Sequence, residues 1–157
     1  MNNITPFLWF DGNADEAVKF YTGIFPDSEI KRISHNVEGG PAPAGSVLTI
    51  EFRLGRQNFI ALNGGPYFKF SEAVSFLIDC KDQQEVDYYW KKLLDGGQAM
   101  QCGWLKDKYG LAWQVVPQQF FAMITSGDDA TTARVMAAMN TMVKFDIAGL
   151  EAAFAKP

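Results

Sequence analysis

Two hydrophobic rhythms alternate along the chain. Short apolar runs rich in β-branched and aromatic residues, such as Phe7-Leu8-Trp9-Phe10 and Val47-Leu48-Thr49-Ile50, give way to stretches with large residues at i, i+3, i+4, i+7 and i+8. The first rhythm predicts strands and the second amphipathic helices, each with one apolar stripe about 100° wide. The whole pattern is written twice, because residues 7–25 recur as residues 76–94 without a gap. Phe7-Leu8 returns as Phe76-Leu77, and Asn13 and Glu16 return as Asp82 and Glu85. Ala17, Phe20, Tyr21, Ile24 and Phe25 return as Val86, Tyr89, Trp90, Leu93 and Leu94. An Asx residue followed three positions later by Glu predicts helix starts at Asn13 and Asp82, since both side chains can accept orphan N–H groups of the first turn. Each stripe then needs a sheet beneath it, at roughly 1.5–3 kcal/mol per large side chain fully buried.

The first copy reads as a strand over 4–10, a helix over 14–25, a Pro26-Asp27 turn and a strand over 28–37. A Gly/Pro/Ala loop over 38–45 follows, then a strand over 46–54, a Gly55-Arg56 turn and a strand over 57–63. That order is βαβββ, and Gly64-Gly65-Pro66 with the aromatic run Tyr67 to Phe70 forms the joint. The second, shortened copy supplies a strand over 73–80, a helix over 83–95 closed by Gly96-Gly97, and a strand over 98–105. A Lys106 to Gly110 turn and a strand over 111–116 ended by Pro117 complete it. The tail changes character. Residues 129–143 place Val135, Met136, Met139, Met142 and Val143 on one helical face, and 146–155 carry Ile147, Leu150 and Phe154. The methionine stripe is read as packing or a dimer contact. The expected class is α+β, one domain over 1–157, with modules at 1–66 and 67–117 and a helical tail at 118–157.

Composition narrows the partners. With 157 residues and 48% hydrophobic content the chain can build one substantial core. A net charge of −4 without a basic block offers nothing to a nucleic-acid backbone or an anionic membrane. No apolar run approaches the roughly 18 residues of a spanning helix, and Met1-Asn2-Asn3 has no leader character, so a cytoplasmic protein is expected. Cys80 and Cys102 form no close pair and read as two ordinary thiols.

The paired βαβββ modules, together with Leu8-Trp9-Phe10-Asp11-Gly12 leading into Ala14-Asp15-Glu16-Ala17-Val18-Lys19-Phe20-Tyr21, resemble the vicinal oxygen chelate superfamily. That superfamily includes glyoxalase I, extradiol dioxygenases and bleomycin-resistance proteins. Ala61-Leu62-Asn63-Gly64-Gly65-Pro66, Glu85-Val86-Asp87-Tyr88-Tyr89-Trp90 and Cys102-Gly103-Trp104-Leu105-Lys106-Asp107 are similar to its PhnB-like branch, labelled 3-demethylubiquinone-9 3-methyltransferase. The resemblance is read as running through the tail. It implies two half-barrels around a concave cleft, often completed in a homodimer.

In metal-dependent members of the superfamily, the resemblance implies ligands on the first and last strand of each module, His or Gln early and Glu late. Carried over by the repeat, those positions fall at Thr5, at Val74 or Ser75, within Ala61 to Asn63, and at Gln114. These windows contain neither imidazole nor carboxylate, and hydroxyl and carboxamide oxygens are weak neutral ligands for a divalent first-row metal. No metal and no cofactor is therefore expected. Thr5, Asn63, Ser75 and Gln114 are instead candidate polar contacts to a ligand, with Trp9 and Trp104 as aromatic walls. Trp113 also lies on a strand. His35, the only histidine, and Glu51, alternating with Ile50 and Phe52, are the candidate acid or base groups. Lys106 and Asp107 are read as structural turn residues, and the 38–45 loop as a lid over the cleft.

Three functional readings follow. The first is a metal-independent, homodimeric protein that binds a small, partly aromatic or amphipathic molecule. The second is an enzyme acting on a small substrate in the same cleft: an isomerase, lyase or dioxygenase, or the methyltransferase of the family label. Against that label, no Gly-rich turn joins a strand to a helix in the manner of sites for S-adenosylmethionine. The third is an interaction module whose surface is the helical tail.

Overall fold

The computed structural model describes residues 4–155, so Met1-Asn2-Asn3 lies outside the described residues. The chain divides into two compact units, residues 1–70 and 71–157. In the first, β1 (Phe7–Phe10), α1 (Ala14–Ile24), β2 (Glu29–His35), β3 (Val47–Leu54) and β4 (Gln57–Asn63) form a four-stranded sheet of order β1-β4-β3-β2. The β1–β4 pair is parallel and the rest antiparallel. Ala14, Ala17, Val18, Tyr21 and Ile24, the predicted stripe, bury α1 against β3 and β4. Beneath them Tyr21 stacks on Phe52 at 6.4 Å, and Phe52 on Phe59 at 5.3 Å. Leu8, Phe10, Ile50 and Ala61 complete this helix-covered layer.

The second unit repeats the plan with β5 (Ser75–Cys80), α2 (Gln83–Leu93), β6 (Gln98–Ala99), β7 (Trp104–Lys106) and β8 (Ala112–Pro117), in the order β5-β8-β7-β6. Val86, Trp90 and Leu93 bury α2 against β5, β7 and β8. The α+β class and the duplicated βαβββ order are as expected. The strand expected over 98–105 is interrupted, because the chain turns between Met100 and Gly103, with Cys102 at φ +58° and Gly103 at φ +78°. Lys106 is the last residue of β7 rather than the start of a turn.

The tail forms three helices, α3 (Gln118–Ser126), α4 (Asp129–Asn140) and α5 (Ile147–Ala155), packed on one another. The first was not foreseen. Its apolar face rests on Phe120 and Met123, and Phe120 meets Phe145 at 5.3 Å. The expected methionine stripe does not hold as one helical face. α4 ends at Asn140, Val135 is its buried residue, and Met142 and Val143 lie beyond it. Their carbonyls accept the Cys102 and Gly103 N–H groups, each at 2.8 Å, which fastens the tail to the β6–β7 turn. Gln83 adds a second clasp, donating to the Phe145 carbonyl at 3.1 Å and accepting the Ile147 N–H at 2.9 Å to cap α5.

Candidate functional site

Side chains alternate across a strand, so each sheet has one helix-covered face and one open face. On the first unit's open face stand Phe7, Trp9, Ile60 and Leu62, with Thr49, Glu51 and the β2 residues Arg32 and Ser34. Trp9 is half-buried, but much of its covering is the chain's own. Its indole N–H donates to the Gly65 carbonyl at 2.8 Å, and Phe68 meets its ring edge-on at 4.9 Å. A Cβ at Gly64 would sit 2.3 Å from the Trp9 ring, so the Gly64-Gly65 motif is the backbone that closes over the indole.

Asn63 follows Leu62 and therefore points to the opposite face from Trp9. There its carbonyl oxygen accepts the Ala14 N–H at 2.8 Å, and its amide donates to the Val47 carbonyl at 3.1 Å. Asn63, not Asn13, caps α1, and Asn13 makes no side-chain cap bond. The second copy keeps the expected arrangement: Asp82 accepts the Glu85 N–H at 2.9 Å, and Glu85 accepts the Lys81 N–H at 2.9 Å. Asn63, Asp11, Asp15, Ser46 and Val47, with Ala42 and Pro43 of the 38–45 loop, line a cavity of about 340 Å³. Thr5 is exposed, two residues ahead of β1.

Glu51 pairs with Arg32 across the β2–β3 ladder, through both Nε and a terminal guanidinium nitrogen. His35 is exposed at the end of β2, opposite Val47. Neither is enclosed.

In the second unit three of the candidates come together. Ser75 and Leu77 share the open face with Gln114, and Trp104 faces Gln114 across the β7–β8 ladder. The Gln114 amide donates to the Ser75 hydroxyl at 2.8 Å. Lys106 continues this face, its ammonium 2.7 Å from the Glu72 carboxylate, and that hydrogen bond holds the Glu72 pKa below its ordinary value. Trp113 points the other way, into the core. There its indole donates to Asp107 at 2.8 Å, while the same carboxylate accepts the Tyr109 and Leu111 N–H groups at 2.8 and 3.1 Å.

The superfamily's metal does not fit these residues. The oxygens at the corresponding positions are neutral, Ser75 and Gln114 are bonded to each other, and Asn63 is committed to the α1 cap. Among the described residues, no group of three or more His, Cys, Asp or Glu side chains could hold a metal ion. Sequence reasoning also missed a cavity of about 780 Å³ in the second unit, lined by Glu72, Ala99, Met100, Gln101, Cys102, Trp104 and Val143. Its only sequence signal was Cys102-Gly103-Trp104, whose role depends on a tail segment distant in the chain.

Two βαβββ units with identical strand order are the fold that the resemblance to the vicinal oxygen chelate class implies. The profile of the family described as 3-demethylubiquinone-9 3-methyltransferase matches residues 2–116, and the chain belongs to that PhnB-like family. The match stops short of the tail helices, contrary to the expectation that it would run through them. Among solved structures, the chain is similar to a Bacillus cereus PhnB protein whose name carries the same methyltransferase label. Identity is 36%, coverage is 74% of this chain and 99% of that one, and the TM-score is 0.68. A Pseudomonas aeruginosa protein shares the fold, at 20% identity, 75% and 98% coverage and TM-score 0.63. No curated protein matches the chain.

Proposed function

We propose that this PhnB-like protein binds a small, partly aromatic or amphipathic molecule without a metal, as a cytoplasmic homodimer. The observation that carries the reading is the Ser75–Gln114 pair beside Trp104, a neutral hydrogen-bonding set next to an aromatic ring on an open sheet face. Such a combination suits a ligand that needs orientation and an apolar contact rather than Lewis-acid activation. In the first unit the corresponding candidates do not form one set: Trp9 and the exposed Thr5 remain candidate contacts, whereas Asn63 faces away from Trp9 and both of its amide atoms are taken up by Ala14 and Val47. For the dimer, the support is apolar surface: Phe7, Val74 and Leu77 stand exposed at or beside the edge strands β1 and β5, area that a second copy would cover. For the location, it is the two free thiols, together with the absence, among the described residues, of any helix long and apolar enough to cross a membrane.

The test is a calorimetric titration of the full chain with manganese, iron, nickel and zinc, beside a thermal-shift screen of small aromatic compounds. Stabilising compounds with no tight metal binding support the reading. Stoichiometric metal needed for ligand binding would overturn it, and light scattering on the same sample reports the dimer. The enzymatic alternative keeps Glu51 and His35 as its acid or base, and unchanged turnover of an identified substrate by Glu51→Gln and His35→Gln would remove them.

A further inference from the structure

We propose that the 780 Å³ cavity between the β6–β7 turn and the tail is a ligand seat for a neutral, planar aromatic molecule bearing one N–H or O–H donor, with Val143 of the tail as a wall. This rests on the reading above that the chain binds a small molecule beside Trp104, but places it in a cavity that neither Ser75 nor Gln114 lines. The volume falls in the roughly 300–1,000 Å³ range of small-molecule sites. Ala99, Met100, Trp104 and Val143 make the lining mainly apolar, with the indole as a flat face and the thioether as an adaptable one. The single charged lining group, Glu72, already holds the Lys106 ammonium at 2.7 Å, so the cavity presents no uncompensated charge and favours a neutral guest. Its carboxylate keeps lone pairs free to accept one donor.

The walls are fixed before any ligand arrives. Cys102 and Gly103 both adopt left-handed backbone, which a non-glycine residue sustains only when its surroundings hold it. Here the holding groups are the Met142 and Val143 carbonyls, each 2.8 Å from the N–H it accepts. At Gly103 a Cβ would lie 2.5 Å from the Phe145 ring, so turn and tail meet with no room for a side chain between them. Preorganisation of this kind lowers the ordering cost of binding. The tail, outside the residues matched by the family profile, is thereby part of the site.

Cys102 supplies a reporter. It lines the cavity half-buried, whereas Cys80 is fully buried and its thiol is pushed up to about 12 by burial and by the nearby Glu85, Asp79 and Asp82. The experiment titrates the full-length protein with N-phenyl-1-naphthylamine, a neutral naphthyl amine with one N–H, reading its fluorescence and the iodoacetamide alkylation rate of Cys102. Expected are saturable one-to-one binding, alkylation slowed about tenfold or more at saturation, and affinity weakened about tenfold or more in Val143→Asp. Val143→Ala, which keeps the backbone carbonyl and changes the wall least, should weaken binding by a smaller factor. Should Val143→Asp not fold, protection of Cys102 in the unaltered protein decides alone. Saturable binding that leaves the Cys102 rate unchanged and is lost in Gln114→Ala would overturn this seat while sparing the small-molecule reading. Absence of saturable binding would overturn the seat, and the thermal-shift screen would then judge that reading separately.

Discussion

Asp107 is a buried carboxylate whose bonds tie one short turn to one core ring. Two backbone N–H groups share Oδ1, and the Trp113 indole takes Oδ2. Asn is nearly the same size but presents an NH2 group to one side. Asp107→Asn must either aim that donor at the indole N–H or surrender the turn's two N–H groups, and an unsatisfied buried donor costs about 1–3 kcal/mol. Urea denaturation should show a loss of about that size for Asp107→Asn and a larger one for Asp107→Ala, which removes the carboxylate acceptor from all three donors. A loss under about 0.5 kcal/mol in both would show that water replaces the carboxylate freely. The two thiols diverge for a related reason. Burial and the nearby carboxylates push the Cys80 thiol up to about 12, so it stays protonated at pH 8, and it is also buried. The native protein should therefore release one equivalent of chromophore from Ellman's reagent promptly, from Cys102, and the second only on unfolding. Two equivalents released at one rate would contradict the burial of Cys80.

At the scale of elements, the start of α1 shows what the chain discloses and what it withholds. Asn13 sits where a cap belongs, three residues before Glu16, yet the cap bond comes from Asn63, 49 residues beyond Ala14. The parallel β1–β4 register sets Asn63 beside Phe10, at the point where the chain leaves the sheet for the helix, and no local spacing encodes that register. Removing a cap costs about 1 kcal/mol, so Asn63→Ala should destabilise by about that amount while Asn13→Ala changes little. Equal losses would return the cap to Asn13. Both sheets were legible because strand and helix rhythms are local, and so was the Asp82 cap, where the box closes within one turn. The interrupted strand at 100–103 was not, since the tail carbonyls that hold Cys102 and Gly103 left-handed lie some 40 residues downstream. α3 escaped because Phe120 and Met123 offer only a narrow apolar stripe that gains meaning against Phe145. Of the candidate site, the Ser75, Gln114 and Trp104 grouping follows from the repeat, whereas the cavity wall at Val143 required the folded tail.

For the molecule as a whole, the ionisable groups predict a stability plateau bounded on both sides. Asp87 has its pKa lowered chiefly by its hydrogen bond to Lys144, and this bond joins α2 to the tail. Asp128 is lowered by the Thr131 N–H it caps, and Glu72 by Lys106. A carboxylate whose pKa is depressed in the fold contributes stability above its unfolded value. It loses that contribution as pH falls through the unfolded value toward the folded one. The acid limb should therefore begin near the ordinary values of 4.5 for Glu and 3.8 for Asp and continue below them. Cys80 runs the opposite way. Its folded value lies above the ordinary 9.0, so its contribution is complete below pH 9 and is lost between 9 and about 12, as the unfolded thiol ionises while the buried one cannot. Urea midpoints measured from pH 3 to 11 should be flat between about 5 and 9 and fall on either side. Asp87→Asn should make the acid limb shallower without altering the alkaline one, and Cys80→Ala should do the reverse. If Asp87→Asn left the acid limb unchanged, the Lys144 bond would not be what couples tail docking to pH. The tail would then be held by the uncharged ties at Gln83, Cys102 and Gly103, which do not titrate on that limb.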